Sequence, residues 1–306
     1  MKEKGKTEYG HSKILVPNHI EFQSVFIQSV HTILFGTTNI QFFLFPISMQ
    51  QNFIIQGCVS FFCIFALNFH DMKYKRILLK LSGESLMGDD NYGIQYAHVH
   101  HYATEIKSAV DMGVQVGVVI GGGNIFRGVQ GASKGFDRRQ GDQMGMLATI
   151  INAMAMQAAL EEMGVKAKVL TAFAIESIGE KISWRTAVEA LDNGYVVILG
   201  GGTGNPFFTT DSGAALRAVE IRADLLLKGT RVDGVYTADP EKDPSATKYT
   251  ELTFDEAYRN NLKIMDMTAF TLCKENNMPI YVYDANQPGN LAKVLNGENI
   301  GTLLHF

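Results

Sequence analysis

Short apolar runs that end in glycine loops recur from Met72 onward and limit the class of fold that this chain can adopt. Three such runs and their loops are residues 76–81 before Ser82-Gly83, 114–120 before 121–124, and 195–199 before 200–204. A continuous apolar run is typical of a strand that is buried on both faces of a parallel sheet. Because helical patterns lie between the runs, the sequence predicts an α/β fold of three layers (αβα) with a mainly parallel central sheet.

The predicted elements follow one another without an internal repeat. We predict strands over 76–81, 114–120, 167–170, 195–199, 225–228 and 280–283, and helices over 97–112, 142–163, 183–191, 212–221, 255–260, 266–276 and 291–295. In such sheets ligands bind beyond the carboxyl ends of the strands. We therefore expect the three glycine loops to lie together at one binding edge.

Composition and charge narrow the possible partners. The 306 residues are 46% hydrophobic and 19% charged, which is enough for one large or two small domains with a core. The formal net charge of −4 shows no basic excess, so nucleic acid is not an expected partner. Cys58, Cys63 and Cys273 have neither metal-site nor disulfide-framework spacing, which fits a reducing compartment and a cytoplasmic location.

Residues 1–71 differ sharply in composition from the rest of the chain. They hold eleven of the nineteen phenylalanines but four of the thirty glycines, and residues 22–70 contain no Asp, Glu, Lys or Arg. A membrane anchor over 53–69 is one interpretation, although polar residues interrupt that run, and a signal sequence without a clean cleavage site is another. We favour a third, in which translation starts at Met72, residues 72–306 form a single domain, and no membrane is involved.

The third glycine loop carries groups that suit a phosphorylated ligand. Residues 200–213 read GGGTGNPFFTTDSG. Glycines let backbone N–H groups approach an anion, threonines add hydroxyls, and Asn205 adds an amide that can face a base or a sugar. A glycine-rich surface loop is the alternative interpretation for one loop alone. None of the three loops matches a P-loop or a Rossmann fingerprint, so such a ligand must be held in another way.

Two cations near the loops are candidates for binding phosphate. Lys80 stands at the end of the apolar strand 76–81, which leads directly into Ser82-Gly83, and its ammonium could neutralise phosphate oxygens there; a solvated strand-end lysine is the alternative. Arg127, four residues after Gly123, offers a planar cation that suits phosphate, or is a surface arginine.

Aspartates and an aromatic turn complete the candidate set. Asp142, Asp211 and Asp266 each stand near a predicted helix start, where a carboxylate can cap the helix or serve a ligand, in the case of Asp142 through ribose hydroxyls. The turn 233–240 (DGVYTADP) contains Tyr236 and could stack on a purine and bind its ribose, although Asp-Gly and Asp-Pro also signal a simple tight turn.

Together these motifs resemble the bacterial uridylate (UMP) kinase family of the amino acid kinase superfamily. The motifs are residues 80–84 (KLSGE), 121–124 with Arg127, 141–142, 202–211 and 233–240. The first and the last occur across the superfamily, whereas residues 202–211 (GTGNPFFTTD) are characteristic of the UMP kinase branch. The resemblance covers residues 72–306 and none of residues 1–71.

The resemblance implies transfer of the γ-phosphoryl group of ATP to UMP, giving ADP and UDP in pyrimidine nucleotide biosynthesis, with Mg²⁺ but with no metal-ligating side chain assigned. The residues that it places around the transferring group are Lys80, Arg127, Asp211 and Asp266. Its ATP site consists of Lys80, Leu81, Ser82, Gly83, Gly123, Arg127, Thr230, Tyr236 and Asp239. Its UMP site consists of Gly122, Asp142, Thr203, Gly204, Asn205, Pro206, Phe207, Phe208, Thr209 and Thr210. It also implies a homohexamer that GTP activates and UTP inhibits.

Two other functions stay open. One is a different phosphotransferase of the same superfamily that acts on a carboxylate or a carbamate. The other is a non-catalytic nucleotide-binding protein on the same fold. Lys80 and Asp266 argue against the second, because a pure binder has less need of charges where the phosphoryl group is transferred.

Overall fold

A computed structural model describes residues 73–127, 135–240 and 242–306. The interpretation of residues 1–71 and the proposed start at Met72 lie outside these residues and stay predictions.

Strands and helices alternate along the described residues, as the apolar pattern predicts. The strands are β1 (Arg76–Leu81), β2 (Gln115–Ile120), β3 (Ala167–Thr171), β4 (Glu180–Lys181), β5 (Val196–Gly200), β6 (Leu225–Thr230), β7 (Glu251–Thr253), β8 (Ile280–Asp284) and β9 (Thr302–His305). The helices are α1 (Tyr96–Asp111), α2 (Arg138–Glu162), α3 (Trp184–Asp192), α4 (Thr210–Glu220), α5 (Phe254–Arg259), α6 (Met267–Glu275) and α7 (Asn290–Leu295). Two short 3₁₀ helices, Gly83–Leu86 and Gly88–Asp90, follow β1.

All of these strands form one sheet in the order β4-β3-β5-β2-β1-β6-β8-β9-β7. Every neighbouring pair is parallel except β8 and β9, which are antiparallel. The prediction of a mainly parallel sheet is confirmed. Parallel neighbours need helical crossovers, which is why helices cover both faces.

Alternation along the central strands divides the core into two layers. In β1, Ile77, Leu79 and Leu81 join the core cluster that contains α1, α2 and α7. Leu78 points the other way and joins the cluster that contains α3, α4, α5 and α6. Each such fully buried side chain contributes about 1.5–3 kcal/mol of transfer free energy. The predicted αβα layering is therefore confirmed.

The structure adds three short strands that the sequence patterns do not predict, β4, β7 and β9. Both residues of β4 are exposed, β7 has a polar residue on either side of Leu252, and β9 has a polar residue at each end, so none of them forms a long apolar run. Such short strands depend on pairing with neighbouring strands rather than on their own apolar content.

Helix α2 is long and apolar enough to pass a length-and-composition criterion for a membrane span, a criterion that core helices of soluble proteins also pass. Its buried side chains, among them Ala153, Met156 and Leu160, belong to the core cluster on one face of the sheet. Packing against the sheet therefore explains the apolar residues on this face of α2.

Glu105 on α1 caps the amino end of α7 from a distance of 184 residues along the chain. Its carboxylate is buried and accepts hydrogen bonds from the backbone N–H of Gly289 at 2.7 Å and of Leu291 at 3.2 Å. We expect Glu105→Ala to lower the free energy of unfolding by about 1–3 kcal/mol, because one buried and one partly buried N–H donor lose their acceptor. Urea denaturation measures this loss. Glu189→Ala, at an exposed position of α3, is the matched control, and an equal loss in both variants would contradict the capping role.

Candidate active site

The strand order brings the three glycine loops to one edge of the sheet. They follow β1, β2 and β5, which lie side by side and parallel, so their carboxyl ends meet at the same edge. The expectation from the apolar runs is confirmed. Strand β6 is the other neighbour of β1 and brings Thr230 to this edge.

The loops touch one another, and two glycines make that approach possible. A Cβ on Gly83 would lie 2.3 Å from the carbonyl oxygen of Gly121, and a Cβ on Gly122 would lie 2.7 Å from the carbonyl oxygen of Gly145 on α2. Contacts below 3 Å are too short for real Cβ atoms, so any side chain would force the loops apart. The loop after β2 (residues 121–124) therefore packs closely against both the loop after β1 and helix α2.

A cluster of two lysines and one carboxylate lies at the centre of this edge. Asp211 lies in the first turn of α4 and forms two ion pairs. Its Oδ1 lies 2.8 Å from Lys80 Nζ, and its Oδ2 lies 2.8 Å from Lys228 Nζ. The side chains of Lys80, Lys228 and Asp211 are only 12%, 15% and 15% exposed. Lys80 and Lys228 are direct neighbours on β1 and β6, so one carboxylate can reach both.

The two lysines control the ionisation of Asp211. Burial alone would raise the pKa of this carboxyl, but the positive charges of Lys80 and Lys228 outweigh burial and hold the pKa below its usual value. Burial lowers the pKa of Lys228, against the opposing attraction of Asp211. The three residues carry two positive charges and one negative charge, and the charge of Asp266 also acts on Lys228, so the two ammonium groups are held in place and can still interact with an anionic ligand.

Asp266 connects the third glycine loop to this cluster. It is the N-cap of α6 and accepts a hydrogen bond from the N–H of Ala269 at 3.0 Å, so the capping interpretation is confirmed. Its carboxylate also accepts hydrogen bonds from the hydroxyls of Thr209 and Ser212. Lys228 donates to the carbonyl of Ile264, just before Asp266. Asp211 and Asp266 are therefore held in one network.

For Asp142 and Asp211 the capping interpretation is wrong, because both helices begin earlier than predicted. The cap of α2 is Asp137, and the cap of α4 is the hydroxyl of Thr209. Asp142 lies in the second turn of α2 and Asp211 in the first turn of α4. Both carboxylates are therefore free from capping and available for other contacts.

Asp142 holds the loop between β5 and α4. Its Oδ2 accepts a hydrogen bond from the N–H of Phe207 at 2.8 Å, and its two oxygens pair with Arg138 Nε at 2.9 Å. Phe207 has a φ of +72°, which is uncommon for an aromatic residue and costs about 1–3 kcal/mol unless its surroundings fix it. The hydrogen bond from the Phe207 N–H to Asp142 helps to fix this conformation.

The remainder of this loop faces outward. Phe207 and Phe208 are 65% and 47% exposed. In a tight turn beside them, the hydroxyl of Thr203 accepts a hydrogen bond from the N–H of Asn205. Gly204 has a φ of +80° that glycine adopts without strain, and Pro206 stiffens the chain beside it. Flat apolar rings next to polar loop atoms form a surface that suits a nucleobase.

The remaining predicted residues lie at the ends of β1 and β6 and on the loops that leave β1, β2 and β6. Leu81 is buried at the end of β1, and Ser82 precedes the 3₁₀ helix. Arg127 pairs with Glu84 and lies beside Gly123 rather than in the lysine cluster. Both side chains of that pair are more than a third exposed, so the pair contributes little to stability.

The turn after β6 is built from its own polar contacts. Thr230 donates its hydroxyl to the carbonyl of Val232. Tyr236 donates to Asp233 at 2.6 Å, and this bond raises the pKa of the phenol, so Tyr236 stays protonated. Asp239 is exposed and pairs with Lys242. The turn therefore offers an aromatic ring and carboxylates next to the end of β6.

Sequence reasoning missed Lys228 as a site residue. The signal was present: like Lys80, it stands near the end of an apolar strand and just before a glycine, Gly229. What the sequence does not show is that β6 pairs with β1, which places the two lysines on one carboxylate. Asn152 and Thr149 on α2, which bond to the glycine loops, were also missed, because single polar residues in an apolar helix carry no recognisable motif.

Cys273 is buried on α6 near the cluster. Burial, together with the charges of Asp211 and Asp266, raises the pKa of its thiol to about 12. It therefore stays a protonated thiol and does not act as a nucleophile at neutral pH.

Comparison with a family model and with solved structures identifies the class of protein to which this chain belongs. The family model described as the amino acid kinase family matches residues 75–284, which include the sheet edge described above. Among solved structures, UMP kinase from Bacillus anthracis is similar with a TM-score of 0.74 and 39% identity, covering 76% of this chain and 96% of that one. UMP kinase from Ureaplasma parvum gives a TM-score of 0.73 and 38% identity over 77% of this chain and 100% of that one.

Relatives with higher sequence identity identify the family within that class. Uridylate kinase of Parabacteroides distasonis is 64% identical over 233 residues, which are 76% of this chain and 99% of the relative. Uridylate kinase of Porphyromonas gingivalis is 64% identical over 229 residues, 75% of this chain and 96% of the relative. The chain belongs to the uridylate kinase family, within the amino acid kinases.

Proposed function

We propose that this protein transfers the γ-phosphoryl group of ATP to UMP, giving ADP and UDP. The observation that carries the proposal is the cluster in which Asp211 holds Lys80 and Lys228 at the meeting point of the glycine loops. Phosphoryl transfer spreads charge over the equatorial phosphate oxygens and gains most from fixed cations and close positioning. No general base is strictly needed, because the acceptor is already a phosphate oxygen.

The two lysines differ from surface lysines in being fixed before the ligand arrives. Asp211 draws both ammonium groups to one place, so little reorganisation is needed when the charge of the phosphoryl group develops. Asp266 does not touch the lysines directly; it fixes Thr209 and Ser212 at the start of α4. The geometry thus supports Lys80 and Lys228 as phosphate ligands and Asp211 and Asp266 as residues that position them and the loop.

The loops divide between the two nucleotides. The loop after β5 and Asp142 are proposed to hold UMP, since they offer backbone groups, hydroxyls and exposed aromatic rings. The loops after β1 and β6, with Tyr236 and Asp239, are proposed to hold ATP. Gly122 and Gly123 lie on the loop after β2, between the loop after β5 and the loop after β1. Arg127, beside Gly123, adds a second type of cation for phosphate.

The donor set fits Mg²⁺ that arrives with the phosphates of ATP. Among residues 73–127, 135–240 and 242–306, no group of three His, Cys, Asp or Glu side chains could hold a metal ion. Mg²⁺ in kinases keeps several waters and is held largely through substrate phosphates, so Asp211 and Asp266, whose oxygens already bond to lysines and hydroxyls, would orient the waters of the ion rather than ligate it. When bound, the ion would neutralise charge on the phosphate oxygens.

Location and assembly follow from the same family resemblance. We propose a cytoplasmic homohexamer that GTP activates and UTP inhibits. Leu147, Ile151 and Met154, all on α2, are exposed and recur at spacings of four and three residues, so they form one apolar face of that helix. Such a face supports contact with a second copy of the chain.

The proposed reaction is tested by ADP release from ATP with a panel of acceptors. We expect turnover with UMP to exceed that with aspartate, glutamate or acetylglutamate by at least about a hundredfold, because a site that bonds to base, ribose and phosphate loses most of its contacts with an amino acid. Preference for an amino acid would favour another amino acid kinase. Tight UMP binding without ADP release would favour a non-catalytic binder.

A further inference from the structure

Helix α2 presents a row of polar and small residues to the glycine loops. Asp142, Gly145, Thr149 and Asn152 are spaced by three, four and three residues, so they lie on one face of the helix. Each contacts a loop: Asp142 contacts Phe207, Gly145 contacts Gly122, Thr149 contacts Gly201, and Asn152 contacts Gly121. We name these four residues the α2 row.

Thr149 anchors the loop after β5 at its root. Its hydroxyl oxygen accepts the backbone N–H of Gly201 at 2.8 Å and donates to the carbonyl of Met146 at 2.6 Å. The bond to Gly201 is buried, so no water can replace it without moving the chain. Gly201 has a φ of +84°, and the hydroxyl holds this residue just where the strand turns into the loop.

Asn152 anchors the loop after β2 in the same manner. Its side-chain amide donates to the carbonyl of Gly121 at 2.6 Å and to Asn124 Oδ1 at 2.7 Å, and it accepts from Asn124 Nδ2 at 3.0 Å. Asn152 is fully buried and Asn124 is 2% exposed. Asn124 Nδ2 also donates a hydrogen bond to the carbonyl of Gly93 at 2.7 Å, so the network extends from Asn152 to Gly93.

We infer that the α2 row is a positioning device, in which Thr149 and Asn152 set the relative placement of the loop after β5, here called the acceptor loop, and the loop after β2. The inference rests on the function proposed above. One rigid helix bonds to both loops, so their spacing is fixed by the helix rather than by the flexible loops themselves. A displacement of about 1 Å between bound reactants can cost about a hundredfold in rate, which gives such anchoring a functional value.

Thr149→Val tests the anchor because it keeps the shape of the side chain and removes the hydroxyl. We expect the KM for UMP to rise about fivefold to thirtyfold, since the buried N–H of Gly201 loses its acceptor and the acceptor loop shifts. The KM for ATP should change by less than about twofold, and Thr149→Ser should restore the KM for UMP because it keeps the hydroxyl. Thr104→Val, which removes a hydroxyl that bonds only within α1, is the matched control.

Amide hydrogen exchange of the full chain without nucleotides separates this inference from the proposed function. Thr149→Val should speed exchange in residues 200–208 and leave residues 121–127 unchanged, whereas Asn152→Ala should do the reverse. If wild-type protein does not phosphorylate UMP but the exchange changes stay local, the proposed function fails and the anchoring stands. A lower melting temperature with an unchanged KM for UMP, or exchange that rises equally in both segments, would overturn the positioning role.

Discussion

Replacing Lys80 by alanine is expected to lower kcat by about 10²- to 10³-fold, the loss that follows when one fixed group that stabilises transition-state charge is removed. The KM for UMP should change far less, because the acceptor loop lies on β5 and α4 rather than on β1. Steady-state ADP release with varied UMP and saturating ATP measures both constants.

The charge balance of the cluster makes this variant interpretable. Without Lys80, Asp211 and Lys228 remain as a neutral pair at 2.8 Å, so we expect the protein to fold, with a melting temperature lowered modestly because Oδ1 of Asp211 loses its partner. Lys107→Ala, which removes a surface lysine paired with Asp111 on α1, is the matched control and should leave kcat unchanged. Equal and small losses in kcat and in UMP affinity would contradict the role of Lys80.

Asp211→Asn is expected to have the largest effect on stability. It leaves the ammonium groups of Lys80 and Lys228 close together and largely buried without a counter-charge. Removing one partner of a buried ion pair typically costs about 3–5 kcal/mol, and here two cations lose the same partner. We expect a loss in that range in the free energy of unfolding, measured by urea denaturation at neutral pH, together with a fall in kcat.

An exposed ion pair gives the comparison for Asp211. Asp192 pairs with Arg76 Nη2 at 2.7 Å, but its side chain is 58% exposed. Asp192→Asn should therefore cost no more than about 1 kcal/mol. If both variants lose the same stability, Asp211 does not hold the lysines in the way that the geometry indicates.

The class of fold could be predicted from the sequence because its cause is local. Runs such as 114–120 are apolar throughout, which occurs in strands buried on both faces, and the helices between them carry their own periodicity and glycine stops. Strands β4, β7 and β9 were not predicted, because such short strands are stabilised by pairing with their neighbours rather than by an apolar run of their own. The starts of α2 and α4 were misplaced because Asp137 and Thr209, rather than Asp142 and Asp211, provide the caps.

The candidate site was recognisable in its parts but not in its arrangement. Lys80, Asp211 and Asp266 could be named from their places beside glycine loops and helix starts. Their partners could not, because Lys228, Thr149 and Asn152 lie in elements whose neighbours are decided by the order of strands in the sheet. Backbone periodicity contains no information on which strand pairs with which.

The sequence by itself determined the apolar strands, the glycine loops at their ends, and the family motif GTGNPFFTTD over residues 202–211. Only the tertiary structure decided that β1 lies between β2 and β6, and therefore that Lys80 and Lys228 share Asp211. The physical reason is range: loop and strand propensities act between residues near one another in the chain, whereas a buried charge cluster exists only after packing brings distant residues together and excludes water from them.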